Sequence, residues 1–184
     1  LLSAMADEYT VRIYLEVQDH TGTQPMENIC DILIDFLTPK EGTEIRGMTS
    51  GTELLGYEED THTALVELHA AGENYSQMRD WNLSIGGIGF YYGGRRKSIY
   101  GTWEIPFTLT PLETRTISLD AGDHSDFYTL KISPIGMVLE GGPDSFVQTD
   151  DIKVTFADGQ TMTIKSGAGS GGMGRSTSTW YFDK

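Results

Sequence analysis

Hydrophobic and polar residues alternate with a period of two along most of this chain. In the first long run, Tyr9, Val11, Ile13, Leu15 and Val17 are apolar, and the residues between them are mostly polar. Successive side chains of an extended strand point to opposite faces, so the pattern predicts one face in a core and the other in solvent. The sequence therefore predicts an all-β, mostly antiparallel sandwich.

Turn residues separate about ten segments of this kind, at a spacing typical of β-sandwiches. The predicted strands are Glu8–Gln18, Ile29–Leu37, His62–Ala70, Trp81–Tyr92, Ser98–Leu109, Thr114–Leu119, Phe127–Leu139, Asp151–Phe156, Met162–Lys165 and Ser178–Phe182. The dipeptide Asp158-Gly159 predicts a tight hairpin between the eighth and ninth of them, because these residues readily adopt positive φ angles.

Two early segments depart from the simple pattern. The apolar spacing from Met26 to Leu37 fits a short amphipathic helix, whereas the alternation of Ile32, Ile34 and Phe36 fits a strand. We favour the strand because its neighbours are strands, and a short helix near residues 26–37 stays open. Residues 39–60 are polar and rich in glycine, which predicts a long loop.

We expect one domain with a glycine-rich end. Residues 1–166 are predicted to form the sandwich, and residues 167–184 to add a loop and a C-terminal edge strand to the same domain. The glycines of residues 167–174 resemble a phosphate cradle only superficially, because the residues after them are strand-like and no helix N-terminus follows.

Charge and composition narrow the function classes. The formal net charge of −14 disfavours nucleic acid, which is bound through basic surfaces. Cys30 is the single cysteine, so an internal disulfide is excluded, and we expect it to be a small core residue. No run of about 20 apolar residues appears, and we expect a soluble fragment of a longer parent protein.

No pattern of catalytic or metal-binding residues stands out. The four histidines are not spaced as ligand pairs, and we expect no catalytic residue and no cofactor. Acidic residues gather in three turns, and whether these turns bind calcium stays open. They are Glu58, Glu59 and Asp60, then Asp120, Asp123 and Asp126, and then Asp144, Asp150 and Asp151.

Aromatic and basic residues mark the best candidate for an interaction site. Tyr91 and Tyr92 are adjacent, so one of them must face away from the core of a regular strand. Arg95 and Arg96 follow Gly93-Gly94, at the predicted tip of a hairpin. These two tyrosines and two arginines are the predicted interaction patch. We expect Trp81 and Trp103, by contrast, to fill the core.

Three segments resemble a known family. They are Tyr100-Gly101-Thr102-Trp103-Glu104-Ile105-Pro106-Phe107, Tyr128-Thr129-Leu130-Lys131-Ile132-Ser133-Pro134-Ile135-Gly136-Met137 and Phe156-Ala157-Asp158-Gly159. Together with the opening run from Asp7 to Leu15 and the turn Asp19-His20-Thr21-Gly22, they are similar to the extracytoplasmic β-sandwich of anti-sigma-factor-like, single-pass membrane proteins of Gram-positive bacteria. The resemblance covers residues 5 to 166.

The resemblance implies an immunoglobulin-like fold outside the membrane, tethered by a helix that this sequence lacks. It also implies a sensing or protein-interaction role without catalysis, with an envelope ligand or protein as the partner. The family has no established catalytic residues to carry over. The alternative expectation is a carbohydrate-binding or adhesion module, which would present aromatic side chains together on one sheet face.

Overall fold

Strands form nearly all the regular structure in the part of the chain that the computed structural model describes. That part is residues 1–39, 49–72, 75, 79–118, 127–141, 153–155, 159, 161–163, 168–170 and 178–183. The strands are β1 (Ser3–Ala6), β2 (Thr10–Gln18), β3 (Ile29–Pro39), β4 (Thr49–Glu58), β5 (Thr63–Ala71), β6 (Asp80–Tyr92), β7 (Arg95–Thr108), β8 (Thr110–Pro111), β9 (Arg115–Ser118), β10 (Phe127–Ile132), β11 (Gly136–Gly141), β12 (Lys153–Thr155), β13 (Thr161–Thr163), β14 (Ala168–Ser170) and β15 (Ser178–Asp183). The predicted all-β fold class is confirmed.

The chain divides into two compact units, Leu1–Pro111 and Leu112–Lys184. The first unit contains a sheet with the strand order β4-β5-β2-β1-β8 and a sheet with the order β3-β6-β7. All neighbours in these two sheets are antiparallel except β1 and β8, which are parallel. The predicted domain bounds, 1–166 and 167–184, stay a prediction.

Apolar side chains from both sheets of the first unit share one core. On the larger sheet, Ile13 lies opposite Leu68 on the neighbouring strand, and both are 1% exposed. Trp81 and Leu83 of the smaller sheet belong to the same cluster and are fully buried. Burial of each such side chain contributes about 1.5 to 3 kcal/mol, so the alternating pattern is what holds the two sheets together.

The segment with two open interpretations forms a strand. A 3₁₀ turn covers Met26–Asn28, and β3 begins directly after it at Ile29. Ile32 lies opposite Ile88 of β6, and both belong to the core. A longer helix does not form, because the alternating isoleucines of this segment pack into the core from a strand. Within the 3₁₀ turn itself, only Met26 is buried.

Three strands of the first unit were not predicted from the sequence: β1, β4 and the two-residue β8. β4 lies inside the segment that was expected to be a loop, and β1 precedes the first predicted strand. The side chains that join β4 to the core are few: Leu54 and Tyr57 pack against it, and the Thr52 hydroxyl accepts a hydrogen bond from the Ile32 N–H at 3.0 Å. β1 buries only the small side chains Ala4 and Ala6.

The second unit is built from a sheet with the order β14-β15-β11-β10-β9 and from the hairpin of β12 and β13. The predicted hairpin is present, and Gly159 between its strands has a φ of +84°, whereas Asp158 lies outside the described residues. The segment Phe127–Leu139 was predicted as one strand but forms β10 and β11. Ser133 explains the break, because its hydroxyl oxygen accepts hydrogen bonds from the N–H groups of Ile135 and Gly136.

The end of the chain differs from its prediction in one respect. β15 was expected to be an edge strand, but it pairs with β14 on one side and with β11 on the other. β14 itself comes from the glycine-rich segment that was expected to be a loop. Small residues do not prevent pairing when a neighbouring strand supplies the partner groups.

Candidate functional site

The predicted interaction patch lies at the end of the hairpin formed by β6 and β7. Gly93 and Gly94 connect the strands with φ angles of +57° and +74°, which a tight turn of this kind requires. Tyr92 lies opposite Arg95 in the last pair before the turn, and Tyr91 lies opposite Arg96. The structure thus brings all four predicted residues together at one place.

Both tyrosines of the tip are exposed, whereas the alternation required only one of them to be. Tyr91 is 56% exposed and Tyr92 is 57% exposed. The reason is that β3 pairs with β6 only as far as Phe90, so the two tyrosines extend beyond the covered part of the sheet. Arg95 and Arg96 are exposed as well.

The two faces of the hairpin carry different contacts. Tyr91 and Arg96 lie on the face that points away from the core, and the Arg96 guanidinium forms an ion pair with Asp31 of β3. Tyr92 lies on the opposite face, where the Lys97 ammonium sits 4.4 Å from the centre of its ring. A cation at this distance is attracted to the electron-rich face of the ring.

Glycines of β6 shape the face of the β3-β6-β7 sheet that points away from the core, which we call the outer face. A methyl group at Gly86 would lie 2.5 Å from both carboxylate oxygens of Asp35, and one at Gly89 would lie 3.3 Å from the Arg96 Nε. Because these glycines carry no side chain, side chains of β3 and β7 lie across the backbone of the middle strand.

Tyr100 and Trp103 of β7 add two further exposed aromatic rings. Tyr100 is 78% exposed, and its ring approaches the backbone at Gly87 on the outer face. Trp103 was expected in the core and is 39% exposed, so that prediction was wrong. It lies on the core side opposite Ile85, but its ring folds back over Gly101 of its own strand. Trp81 is fully buried, as expected.

A carboxylate held in a fixed position completes the outer face. Glu104 accepts a hydrogen bond from the Ser84 hydroxyl at 2.6 Å and another from the Asn82 amide. These two hydrogen bonds, that of Ser84 first, hold the pKa of the Glu104 carboxyl below its usual value. The outer face therefore presents an ionised, oriented hydrogen-bond acceptor at neutral pH.

The acidic turns form no metal cluster in the described part of the chain. Glu58, Glu59 and Asp60 lie at the turn between β4 and β5. The other two predicted turns, with Asp120, Asp123 and Asp126 and with Asp144, Asp150 and Asp151, lie outside the described residues. Cys30, expected in the core, is only half-buried on β3.

Asp19 has a structural role in the loop after β2. Its two carboxylate oxygens accept hydrogen bonds from the Thr21 hydroxyl and from the N–H groups of Thr21, Thr23 and Gln24, at 2.6 to 2.9 Å. These hydrogen bonds, with that of the Thr21 hydroxyl the strongest, hold the pKa of the Asp19 carboxyl well below its ordinary value. The carboxylate organises its own loop.

The second unit has one notable concavity among its described residues. It has a volume of about 380 Å³ and is lined by Glu113, Arg115, Ile132, Ser133 and Pro134. The Ser133 hydroxyl, its one potential nucleophile, is engaged by the backbone of its own turn. The concavity is open to solvent.

Only part of the outer face was predicted from the amino-acid sequence. Tyr91 and Arg96 belonged to the predicted patch, but Tyr100, Asp35 and Glu104 did not. A usable signal was present in Gly86-Gly87 and Gly89, because glycines inside a strand often mark the close approach of another group.

Comparison with known proteins identifies a fold and no family. No protein-family model matches the sequence, and no curated protein matches it either. The structure is similar to the crystal structure of the conserved domain protein from Bacillus anthracis, with a TM-score of 0.61 and 15% sequence identity. The match covers 98% of this chain and 66% of that chain, so this chain spans just under two thirds of its neighbour's length.

At 15% identity, this likeness concerns the fold alone. It agrees with the sandwich-like, all-β architecture described above. Within the described ranges, no helical segment has both the length and the hydropathy that a membrane crossing requires.

Proposed function

We propose that this chain is a non-enzymatic recognition domain that acts outside a bacterial cell, as the extracytoplasmic part of a membrane-anchored regulator. Its partner is a ligand or protein of the cell envelope. The surface of β6 and β7 is the contact surface, from the tip with Tyr91, Tyr92, Arg95 and Arg96 along the outer face.

The exposure of the tip tyrosines is the observation that carries this proposal. Tyr91 and Tyr92 are each more than half exposed, at the end of a hairpin that extends beyond its neighbouring strand. Tyrosine and arginine are enriched at binding hot spots because they combine a large contact area with hydrogen-bonding groups. Exposed aromatic rings are costly in water, and a partner that covers them would gain that free energy.

The bacterial, extracytoplasmic setting is supported by the resemblance in the sequence to domains of anti-sigma-factor-like proteins. The structural neighbour also comes from a bacterium. The alternative function, a carbohydrate-binding or adhesion module, is favoured by a different observation: Tyr91 and Tyr100 lie on the same face of one sheet.

Site-specific photo-crosslinking would test the recognition function. A diazirine amino acid placed at Tyr91 should form an adduct when the chain is mixed with cell envelopes of the organism that makes it. The same group placed at Thr61, an exposed turn residue of the other sheet, serves as the control and should not. Equal labelling at both positions, or none at Tyr91, would contradict the proposal.

A further inference from the structure

The outer face offers a flat aromatic platform in the middle of a sheet. Tyr100 is 78% exposed although it stands on the interior of a fourteen-residue strand, and it lies opposite Gly87. Gly86, Gly87 and Gly89 contribute no side chains, so the Tyr100 ring and the Leu33 side chain of β3 both lie over the backbone at Gly87. A planar or ring-shaped ligand can therefore approach the ring from solvent without a steric barrier.

Hydrogen-bonding groups flank this ring on both sides. Glu104 and Arg96 lie four residues from Tyr100 in either direction on the same face of β7, which places each about 13 Å away along the strand. Asp35 adds a carboxylate over Gly86, on the β3 side of the ring. The strip from Arg96 to Glu104 is about 26 Å long, which suits a chain of units better than one small molecule.

The chemistry of these groups selects a ligand rich in hydroxyl groups. An ionised carboxylate only accepts hydrogen bonds, so a ligand that binds beside Asp35 and Glu104 must donate them. The negative face of the Tyr100 ring attracts the weakly positive C–H groups of a saturated ring. Sugar rings provide both kinds of group at once.

The charges on this face argue against two other classes of partner, acidic polymers and proteins. The face carries the carboxylates of Asp31, Asp35, Asp80 and Glu104 against the guanidinium of Arg96, on a chain of net charge −14. Acidic polymers would be repelled by this surface. The centre of a protein interface is depleted of charged residues, whereas the Tyr100 ring has charged groups on both sides of it along this face.

We propose that the outer face binds an uncharged glycan chain that lies along β7. Tyr100 stacks on one sugar ring, and the carboxylates of Asp35 and Glu104 accept hydrogen bonds from hydroxyl groups along the glycan chain. The inference rests on the recognition function proposed above and names the ligand class for that surface.

Titration of the labelled chain with uncharged oligosaccharides tests the inference by NMR. The probes are oligomers of glucose, mannose and N-acetylglucosamine, with oligogalacturonate as the acidic comparison. At least one uncharged oligomer should shift the backbone amide signals of Gly86, Gly87 and Gly89, and the acidic oligomer should not. Tyr100→Ala should weaken the binding about tenfold, the effect of losing one aromatic stacking contact.

Leu55→Ala provides a control, because Leu55 is also an exposed apolar residue but lies on β4 of the other sheet, outside the proposed contact surface. It should leave the affinity for the oligomer within about twofold of the original value. A greater loss from Leu55→Ala than from Tyr100→Ala would overturn the inference, as would tighter binding of the acidic oligomer.

The outcome also separates this inference from the recognition function. If none of the uncharged oligomers binds but the Tyr91 crosslink captures an envelope protein, the glycan inference is wrong and the recognition function stands. If neither occurs, both are wrong. If the Tyr91 adduct is removed by glycosidase and resists protease, both are supported.

Discussion

The close packing at Gly87 leads to a sharp prediction for two neighbouring glycines. A methyl group at Gly87 would lie 2.9 Å from the carbonyl oxygen of Ile99 and 2.9 Å from the Cδ1 of Leu33. Carbon atoms pack best at about 3.5 to 4.0 Å, so the methyl group must displace its neighbours by more than about half an ångström. Ile99 belongs to the backbone of β7 and cannot move without disturbing the ladder with β6.

We therefore expect Gly87→Ala to lower the free energy of unfolding by about 1 to 3 kcal/mol, the usual cost of overpacking. Gly89→Ala is the matched control. There the added methyl group would lie 3.3 Å from the Nε of Arg96, a flexible side chain that can shift, and alanine loses less backbone entropy than glycine on folding. Its free energy of unfolding should change by less than about 0.5 kcal/mol.

Urea denaturation followed by circular dichroism would measure both values. For a chain of this length, a loss of 2 kcal/mol also corresponds to a drop in Tm of roughly 4 to 8 °C. If the two variants were equally stable, the contact between the backbone of β7 and Gly87 would be looser than described. That result would refute the steric argument.

Three further predictions concern the core, one loop and the hairpin tip. Trp81→Ala should lower the free energy of unfolding by about 3 to 5 kcal/mol, because Trp81 is fully buried. Trp103→Ala should lower it by less than about 2 kcal/mol, because the Trp103 ring is partly exposed. Urea denaturation measures both values. Asp19 has a lowered pKa in the folded state, so its stabilising effect is complete above about pH 4, where the unfolded group is ionised, and is lost as the pH falls further. Asp19→Asn should be less stable at neutral pH, and its thermal stability should fall less between neutral and acidic pH; a parallel decline in both proteins would contradict this. Lys97→Met should lower the free energy of unfolding by at most about 1 kcal/mol through loss of the contact with Tyr92, and Lys97→Arg should preserve it, as thermal melts would reveal.

The sequence predicted a strand well wherever one of its faces is buried and the other is exposed. β2 and β5 alternate because one face is buried and the other is not, and Gly159 indicated the connection between β12 and β13 because it adopts a positive φ. β4 was not predicted, because few of its side chains, Leu54 among them, pack against the core. Alternation, which is a local property, carries little information about a strand with so little to bury.

The sequence could not predict which strands lie next to each other in a sheet. Alternation placed Trp103 on the core side correctly, but it could not indicate that β7 borders only one strand in the described sheet. The grouping of Asp35 with Tyr100 depends on the pairing of β3 and β7 with opposite edges of β6, which is a long-range property. The tip was predictable because a hairpin is local.

The position of β15 between β14 and β11 has a consequence for the order in which the second unit forms. During synthesis, β9, β10 and β11 leave the ribosome well before the strand that must cover the free edge of β11. An uncovered edge can pair with another chain, so nascent copies are most prone to associate in that interval. The first unit has its own strands complete by Pro111 and can fold while this happens.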